Sequence, residues 1–337
     1  MKETIFNIIY IPDTVDYQSL ALVSLLLNSN FSFRLVGNAL KHDEAQLLKS
    51  IAQCSDRLSF INFESDFIIP HGTLLDILFH SENAPYYCFC DSDIFLFQPL
   101  ALSSQALIGS NHVFSSAGRI ENEDDAIYAG FKGGATTVSP DGKIALATSF
   151  FCIYKRHQLS SIIAKYRVGF EQYRQTLQVP LDVQKILKGL SIDFEMLDTG
   201  KLLSILFHYE KYTNSHKDIT GLVHLGGMSG RYLQDIMLHK TQVFDESNLV
   251  QSTDSQIGEF NQRNAHEISL KKLYGQYFYV YLHFIIGKSI RPETSNLRPE
   301  ITDTIKALEQ NIENIAQQAN KVPELKSIIK LMKDYKK

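Results

Sequence analysis

The sequence predicts an α/β protein: a mostly parallel central sheet with helices on both faces, followed by a C-terminal helical extension. Three observations carry this. Short apolar runs alternate with stretches of helical period along the first half of the chain. The run Tyr86 to Cys90 is uniformly apolar, as in a strand buried on both faces. With 337 residues, 44% of them apolar and 21% charged, the chain supports one α/β domain plus a smaller appendage.

Ile5 to Ile11 is a β-branched and aromatic run that ends at Pro12-Asp13, like a buried strand entering a loop. Tyr17 to Leu27 has helical period, and Phe31 to Val36 is a second strand closed by Gly37-Asn38. A helix at Glu44 to Cys54, a strand at Leu58 to Phe63, a helix at Gly72 to His80 and a strand at Tyr86 to Cys90 continue the β-α-β series. Gly118 to Lys143 carries Glu121, Glu123, Asp124, Asp125 and several glycines, and reads as a long loop, either a binding segment or surface disorder. Thr148 to Tyr154 resumes a strand, and Val179-Pro180-Leu181-Asp182 opens a helix.

After about His266 the character changes. Ile301, Ile305, Leu308, Ile312, Ile315 and Ala319 step by four and three, the spacing of a helical seam. Pro323 opens a last helix in which Leu325, Ile328, Ile329 and Met332 form an apolar stripe beside Lys326, Lys330, Lys333, Lys336 and Lys337. The expected division is a catalytic domain over residues 1–265 and a helical appendage over 266–337. Three partners suit the stripe: an anionic membrane surface, the rest of the chain, or a second subunit in a homodimer.

A net charge of -4 argues against a general nucleic-acid binder. Cys54, Cys88, Cys90 and Cys152 lack paired metal-site spacing and lie in apolar segments, which points to reduced thiols and a cytoplasmic setting. Met1 to Ile11 lacks the apolar core and cleavage site of a secretory leader, and no stretch is long and apolar enough to span a membrane. A basic tail engaging lipid would place the protein peripherally at the inner face of the plasma membrane.

Asp91-Ser92-Asp93 follows the apolar strand directly, so both carboxylates emerge at the carboxyl end of a parallel strand, where open α/β sheets bind ligands. Two carboxylates aimed together repel unless a cation or proton lies between them, and hard oxygen ligands suit Mg2+ or Mn2+ bridging to phosphates. In isolation such a motif is most often a solvated acidic turn. Here the apolar run Ile94-Phe95-Leu96-Phe97 follows it, an expensive place for unpaired charge. The same run lacks the glycine and distal glutamate of a calcium hand, and Ile94-Phe95 stands where a haloacid-dehalogenase-type phosphatase would have Gly-Thr.

Pro70-His71-Gly72-Thr73-Leu74-Leu75-Asp76, then Tyr86-Tyr87-Cys88-Phe89-Cys90-Asp91-Ser92-Asp93, then Val223-His224-Leu225-Gly226-Gly227-Met228-Ser229 resemble, in that order, GT-A glycosyltransferases, especially bacterial relatives of family 2. The resemblance covers roughly the first two thirds of the chain. It implies a GT-A, Rossmann-like sheet and a metal-dependent sugar transfer from a nucleotide-sugar donor. Asp93 and His224 would ligate the metal, and Asp91 would contact the metal or the ribose. Asp13 and Asn38 would lie near the nucleoside, His71, Gly72 and Ser92 near the donor, and Gly226 and Gly227 against the diphosphate. Asp182 would be the acceptor-side base of an inverting reaction.

Plainer readings stand beside these. His224 fits a buried histidine satisfied by hydrogen bonds, Gly37-Asn38 a simple turn, His71-Gly72 a helix entry, and Asp182 a first-turn carboxylate complementing the helix dipole. Retaining family 8 enzymes use H-x-x-G-x-x-K, and this chain has Gly230 at the lysine position with Arg231 one place later. A nucleotidyltransferase or phosphotransferase would also present carboxylates to a metal, although the chain has no G-x-x-x-x-G-K loop near its start. An inactive sugar-nucleotide-binding module is the remaining alternative. A UDP-linked donor and a bacterial surface glycan or lipid-linked acceptor are what the resemblance implies.

Overall fold

Strands β1 (Ile5–Tyr10), β2 (Ser32–Asn38), β3 (Leu58–Phe63) and β4 (Tyr86–Cys90) lie side by side and parallel in the order β3-β2-β1-β4. They are joined by α1 (Val15–Asn28), α2 (His42–Ala52) and α3 (His71–His80). The structure, a computed structural model, describes residues 4–116, 142–173, 178–192, 197–226, 228 and 265–335. The acidic residues expected in a loop between Gly118 and Lys143 lie outside the described residues, as does Gly227.

After β4 come β5 (Ile94–Leu96), α4 (Ser104–Ile108) and β6 (Val113–Ser115). They are followed by β7 (Phe151–Lys155), α5 (Arg156–Tyr166), α6 (Leu181–Gly189), α7 (Lys201–Tyr209), β8 (Asn214–His216) and β9 (Leu222–His224). The sheet continues from β4 to β7, β6 and β8, and all of its strands but β7 run the same way. The expected strand at Thr148 to Tyr154 begins only at Phe151, because the Thr148 carbonyl accepts from the Cys152 thiol and its hydroxyl donates to the Ser116 carbonyl. Four strands of three residues, β5, β6, β8 and β9, are too short to show a period in the sequence.

The pleat divides the core into two layers. Phe6, Ile8, Cys88, Cys90, Phe151 and Ile153 face one side, under α1, α2 and the C-terminal helices. Val36, Tyr87, Phe89, Cys152 and Tyr154 face the other, under α3, α5, α6 and α7. All four cysteines are free thiols, three of them buried.

Three helices complete the chain: α8 (Ala265–Ile285), α9 (Pro299–Ala319) and α10 (Pro323–Asp334). The seam residues from Ile301 to Ala319 are buried, and Leu325, Ile328, Ile329 and Met332 pack with α1 and α2 in the same core as the sheet. The stripe that suited a membrane, a second subunit or the rest of the chain is therefore covered by the chain itself. Membrane attachment or dimerisation through this stripe has no apolar face left to use, while Lys326, Lys330 and Lys333 are exposed. No helix among the described residues is long and apolar enough to cross a membrane. Tyr335 closes the tail onto α2 by donating its hydroxyl to Asp43 Oδ2 at 2.8 Å.

On the opposite layer, α3 is tied to the segment before α6. Both carboxylate oxygens of Asp76 accept from the Phe170 amide at 3.0 and 3.1 Å, and the carboxylate occupies the space where a Cβ on Gly169 would stand. Burial pushes the Asp76 carboxyl up to about 6, against the lowering effect of the Phe170 amide.

Two outcomes follow from this packing. Ile328 is fully buried in the shared core, so Ile328→Ala should cost ~2–4 kcal/mol and lower the midpoint of one urea transition seen by all probes. A separate early transition of the tail would show that the helices form their own unit. For Asp76, a raised native pKa means that the fold favours the neutral acid. That contribution is full below about pH 4 and is lost as pH rises through about 6. Asp76→Asn keeps the acceptor for Phe170 and should stabilise the protein by ~1 kcal/mol at pH 8, the figure reduced for partial exposure, with no gain at pH 4. A stability difference independent of pH would contradict this.

Candidate metal centre

Asp91 follows β4 directly, and its amide donates to the Phe150 carbonyl at 2.9 Å, which fixes the turn. Three residues later the chain re-enters extended backbone as β5, which pairs antiparallel with β9 so that Ile94 lies opposite His224. The Leu225 amide donates to the Asp93 carbonyl at 3.2 Å and extends the pairing past the strand ends. Helix α1 holds the outside of β5: Ser24 Oγ accepts from the Leu96 amide at 3.0 Å, and Asn28 Nδ2 donates to the Leu96 carbonyl at 2.7 Å.

This pairing brings His224 Nε2 to 3.1 Å from Asp93 Oδ1 and 3.5 Å from Asp91 Oδ2. One donor atom from each of the three residues lies within 4.8 Å of the others. Asp93 is 5% exposed and His224 7%, while Asp91 is more open, so the group forms a recess with one accessible wall. Phe150 lies against the His224 imidazole with ring centroids 4.0 Å apart, which restricts the ring's orientation.

The field here is strongly negative. Burial pushes the Cys90 thiol well up, and the Asp91 and Asp93 carboxylates push it further. Tyr17 is likewise raised far above its usual range, first by burial and then by Tyr279, Asp93, Asp16 and Asp13. Two carboxylates and an imidazole nitrogen in such a field match the donor preference of Mn2+ or Mg2+, with remaining positions open to phosphate oxygens or water.

The other expected site residues fare differently. Gly226 follows His224 and takes a left-handed φ of +69°, a conformation that costs an L-residue strain. Asp13 has φ +66°, pairs with Lys41 at 2.8 Å, and donates its amide to Glu44 Oε1 at 2.6 Å, so it is part of a charged network at the end of β1. Ser92 donates its hydroxyl to Gln18 Oε1 on α1 at 2.6 Å.

Asn38 is 1% exposed, and its amide clamps Ile69, donating to the carbonyl and accepting from the amide, both at 2.9 Å. Both ends of the Asn38 side chain thus brace the loop before α3. Gly72 is also a packing residue, since a Cβ there would lie 2.4 Å from the Phe170 carbonyl oxygen. His71 opens α3 edge-on to Phe89 with centroids 6.4 Å apart, and burial lowers its basicity against the opposing pull of Asp198.

Asp182 lies exposed in the first turn of α6, beside Arg167, Pro180, Leu181 and Lys185, around a surface depression of 580 Å³. It stands outside the three-residue cluster. Sequence reasoning missed Phe150, Gln18 and Tyr17. No motif marks them, because each acts through a contact with a residue far away in the chain.

No family model matches the chain, and no curated protein matches it. Among solved structures, a mannosyltransferase from Pyrobaculum calidifontis in complex with GDP-Man and Mn2+ is similar at 9% identity, over 97% of this chain and 85% of that one, with a TM-score of 0.42. TarS of S. aureus matches at 14% identity over 94% of this chain and 55% of its own, with a TM-score of 0.41. The galactosyltransferase LgtC, in complex with donor and acceptor sugar analogs, matches at 10% identity over 94% and 96% of the two chains, with a TM-score of 0.36. Similarities this distant assign no residue and no activity to this chain.

Proposed function

We propose that the chain is a metal-dependent glycosyltransferase, moving a sugar from a nucleotide-diphosphate-sugar donor to a hydroxyl of a glycan or lipid-linked acceptor. The convergence of Asp91, Asp93 and His224 at the carboxyl edge of the sheet carries this reading. Asp93 and His224 would hold a divalent cation from two paired strands, and Asp91 from the end of β4. A bound Mn2+ or Mg2+ supplies positive charge against the departing diphosphate. Gly226 offers backbone without a side chain next to the ligand His224, where phosphate oxygens can approach closely.

Asp182 is the proposed base. Its carboxylate would take the proton of the acceptor hydroxyl as that oxygen forms its bond to the anomeric carbon and the bond to the diphosphate breaks, with inversion. The exposed position of Asp182 beside an open depression is consistent with a large acceptor reaching it from solvent. Asp13, held by Lys41 at the end of β1, is proposed to line the nucleoside side. UDP as the nucleotide and a bacterial surface glycan as the acceptor rest on the family resemblance alone.

The deciding experiment is calorimetric titration with Mn2+, then with UDP and GDP in its presence, followed by transfer and hydrolysis assays on a panel of nucleotide sugars. A proton shared between His224 and Asp93 would satisfy the same 3.1 Å distance, and absence of metal-dependent nucleotide binding would leave that as the explanation. Asp93→Asn should abolish metal-dependent nucleotide binding while thermal stability holds or rises, because carboxylate repulsion is relieved. His224→Ala should weaken the same binding by about 10- to 100-fold with the fold intact. Asp182→Asn should preserve donor affinity while kcat for transfer drops by about 10²- to 10⁴-fold. Unchanged transfer would return Asp182 to the role of a helix-terminal charge.

A further inference from the structure

Tyr17 is fully buried on α1, and its hydroxyl donates to the Met228 carbonyl at 2.6 Å. Met228 lies two residues beyond Gly226 and four beyond His224, so this bond pins the far end of the segment that leaves the metal-ligand cluster. The near end is fixed by the β5–β9 pairing. Between the two anchors the backbone passes through the left-handed turn at Gly226.

The Tyr17 ring is positioned from the C-terminal side. Tyr279 meets it edge-on with centroids 5.0 Å apart, and His283 lies against it at 4.9 Å. His283 is oriented in turn: its Nδ1 donates to the Tyr279 carbonyl at 2.7 Å, and its Nε2 lies 3.7 Å from Asp16 Oδ2. Lys288 closes the group with an ion pair to the same Asp16 oxygen at 2.9 Å, and Asp16 is 1% exposed. Asp16 and Tyr17 are neighbours on α1, so the ion pair and the aromatic pair grip one short stretch of that helix. This stretch links α8 to the segment after His224. A buried carboxylate matched by a histidine of α8 and a lysine just past the end of that helix is expensive to disturb, which makes the grip rigid.

We propose that Tyr17 is a positioning residue of the site: its hydroxyl fixes Met228 and thereby the Gly226 turn behind His224, and the C-terminal part of the chain holds its ring in place through Tyr279 and His283 of α8 and the Asp16–Lys288 pair. The inference rests on the glycosyltransferase reading in one respect, that the Gly226 backbone faces the donor diphosphate. It gives the C-terminal helices a role in donor binding, which their position outside the family resemblance would not suggest. A chain without the pair would keep its metal ligands and present a looser turn to the phosphates.

The test uses Tyr17→Phe, which removes one oxygen and leaves the ring packing. Two measurements are made on the full chain: hydrogen exchange at the Leu225, Gly226 and Met228 amides, and calorimetric affinity for Mn2+ alone and for UDP or GDP with Mn2+. Faster exchange at these amides is expected, with β1 and β4 unchanged. Mn2+ affinity should be close to wild type, and nucleotide affinity should weaken by about three- to tenfold, the worth of one hydrogen bond. Lys288→Gln loosens the same grip from the other end and should shift both measurements in the same direction. Combined with Tyr17→Phe it should add less than its separate effect, since both act on one contact.

A variant that lowers the thermal midpoint but leaves exchange at the three amides and nucleotide affinity at wild-type values would overturn the proposal and make Tyr17 a packing residue only. If wild type itself binds no nucleotide with Mn2+, the glycosyltransferase reading fails. The exchange measurement still decides whether Tyr17 and Lys288 order the turn: acceleration in both variants supports that part, and unchanged exchange removes it. Should Tyr17→Phe fail to fold, Lys288→Gln supplies the same two readouts.

Discussion

Mutual repulsion between Asp91 and Asp93 at the end of a buried strand is the constraint around which this protein is arranged. The strand before them is uniformly apolar and the segment after them is buried, so neither carboxylate can be moved away from the other by a change of register. His224 comes to the pair from a distant part of the chain, and the surrounding structure serves that encounter. Helix α1 grips β5 through Ser24 and Asn28, and Phe150 restrains the imidazole. The antiparallel direction of β7 matters here, because it delivers its first residues, and Phe150 just before them, to the edge where the parallel strands deliver their last.

The second organising feature is the sharing of one core between the sheet and the C-terminal helices. A lysine-rich amphipathic helix in isolation has the composition of a membrane-surface element. In the folded chain its apolar face is already in contact with α1 and α2, and its lysines remain in water. Amphipathicity records that a face is buried and is silent about what buries it.

Much of the architecture was legible because the long strands and helices of the first ninety or so residues each carry their own period and punctuation. The same is true of the D-x-D position, which the apolar strand Tyr86 to Cys90 announces. What was illegible shares a physical cause. The short strands β5 and β9 have too few residues for a pattern, yet their pairing builds the cluster. The place of Asn38 after a strand is legible, and the fold adds that Ile69 pairs with both ends of its amide. At Gly72 the fold shows a close approach to the Phe170 backbone. In each case the sequence named a residue with special properties, and the use of those properties was decided by a partner far away in the chain.

The β5–β9 pairing also bears on the order of events as the chain folds. Its two strands are short, far apart in sequence and stabilised by few local contacts, the kind of contact whose closure entropy must be met before it rewards the chain. The β1-to-β4 layer can assemble from neighbouring units, whereas the pocket cannot exist until residue 224 has returned to residue 94. Were the cluster to take up a cation, its capture would be a signature of completed folding. An ion recognising only the finished arrangement draws the population toward it by mass action, and incomplete chains that stop before β9 have nothing to offer it.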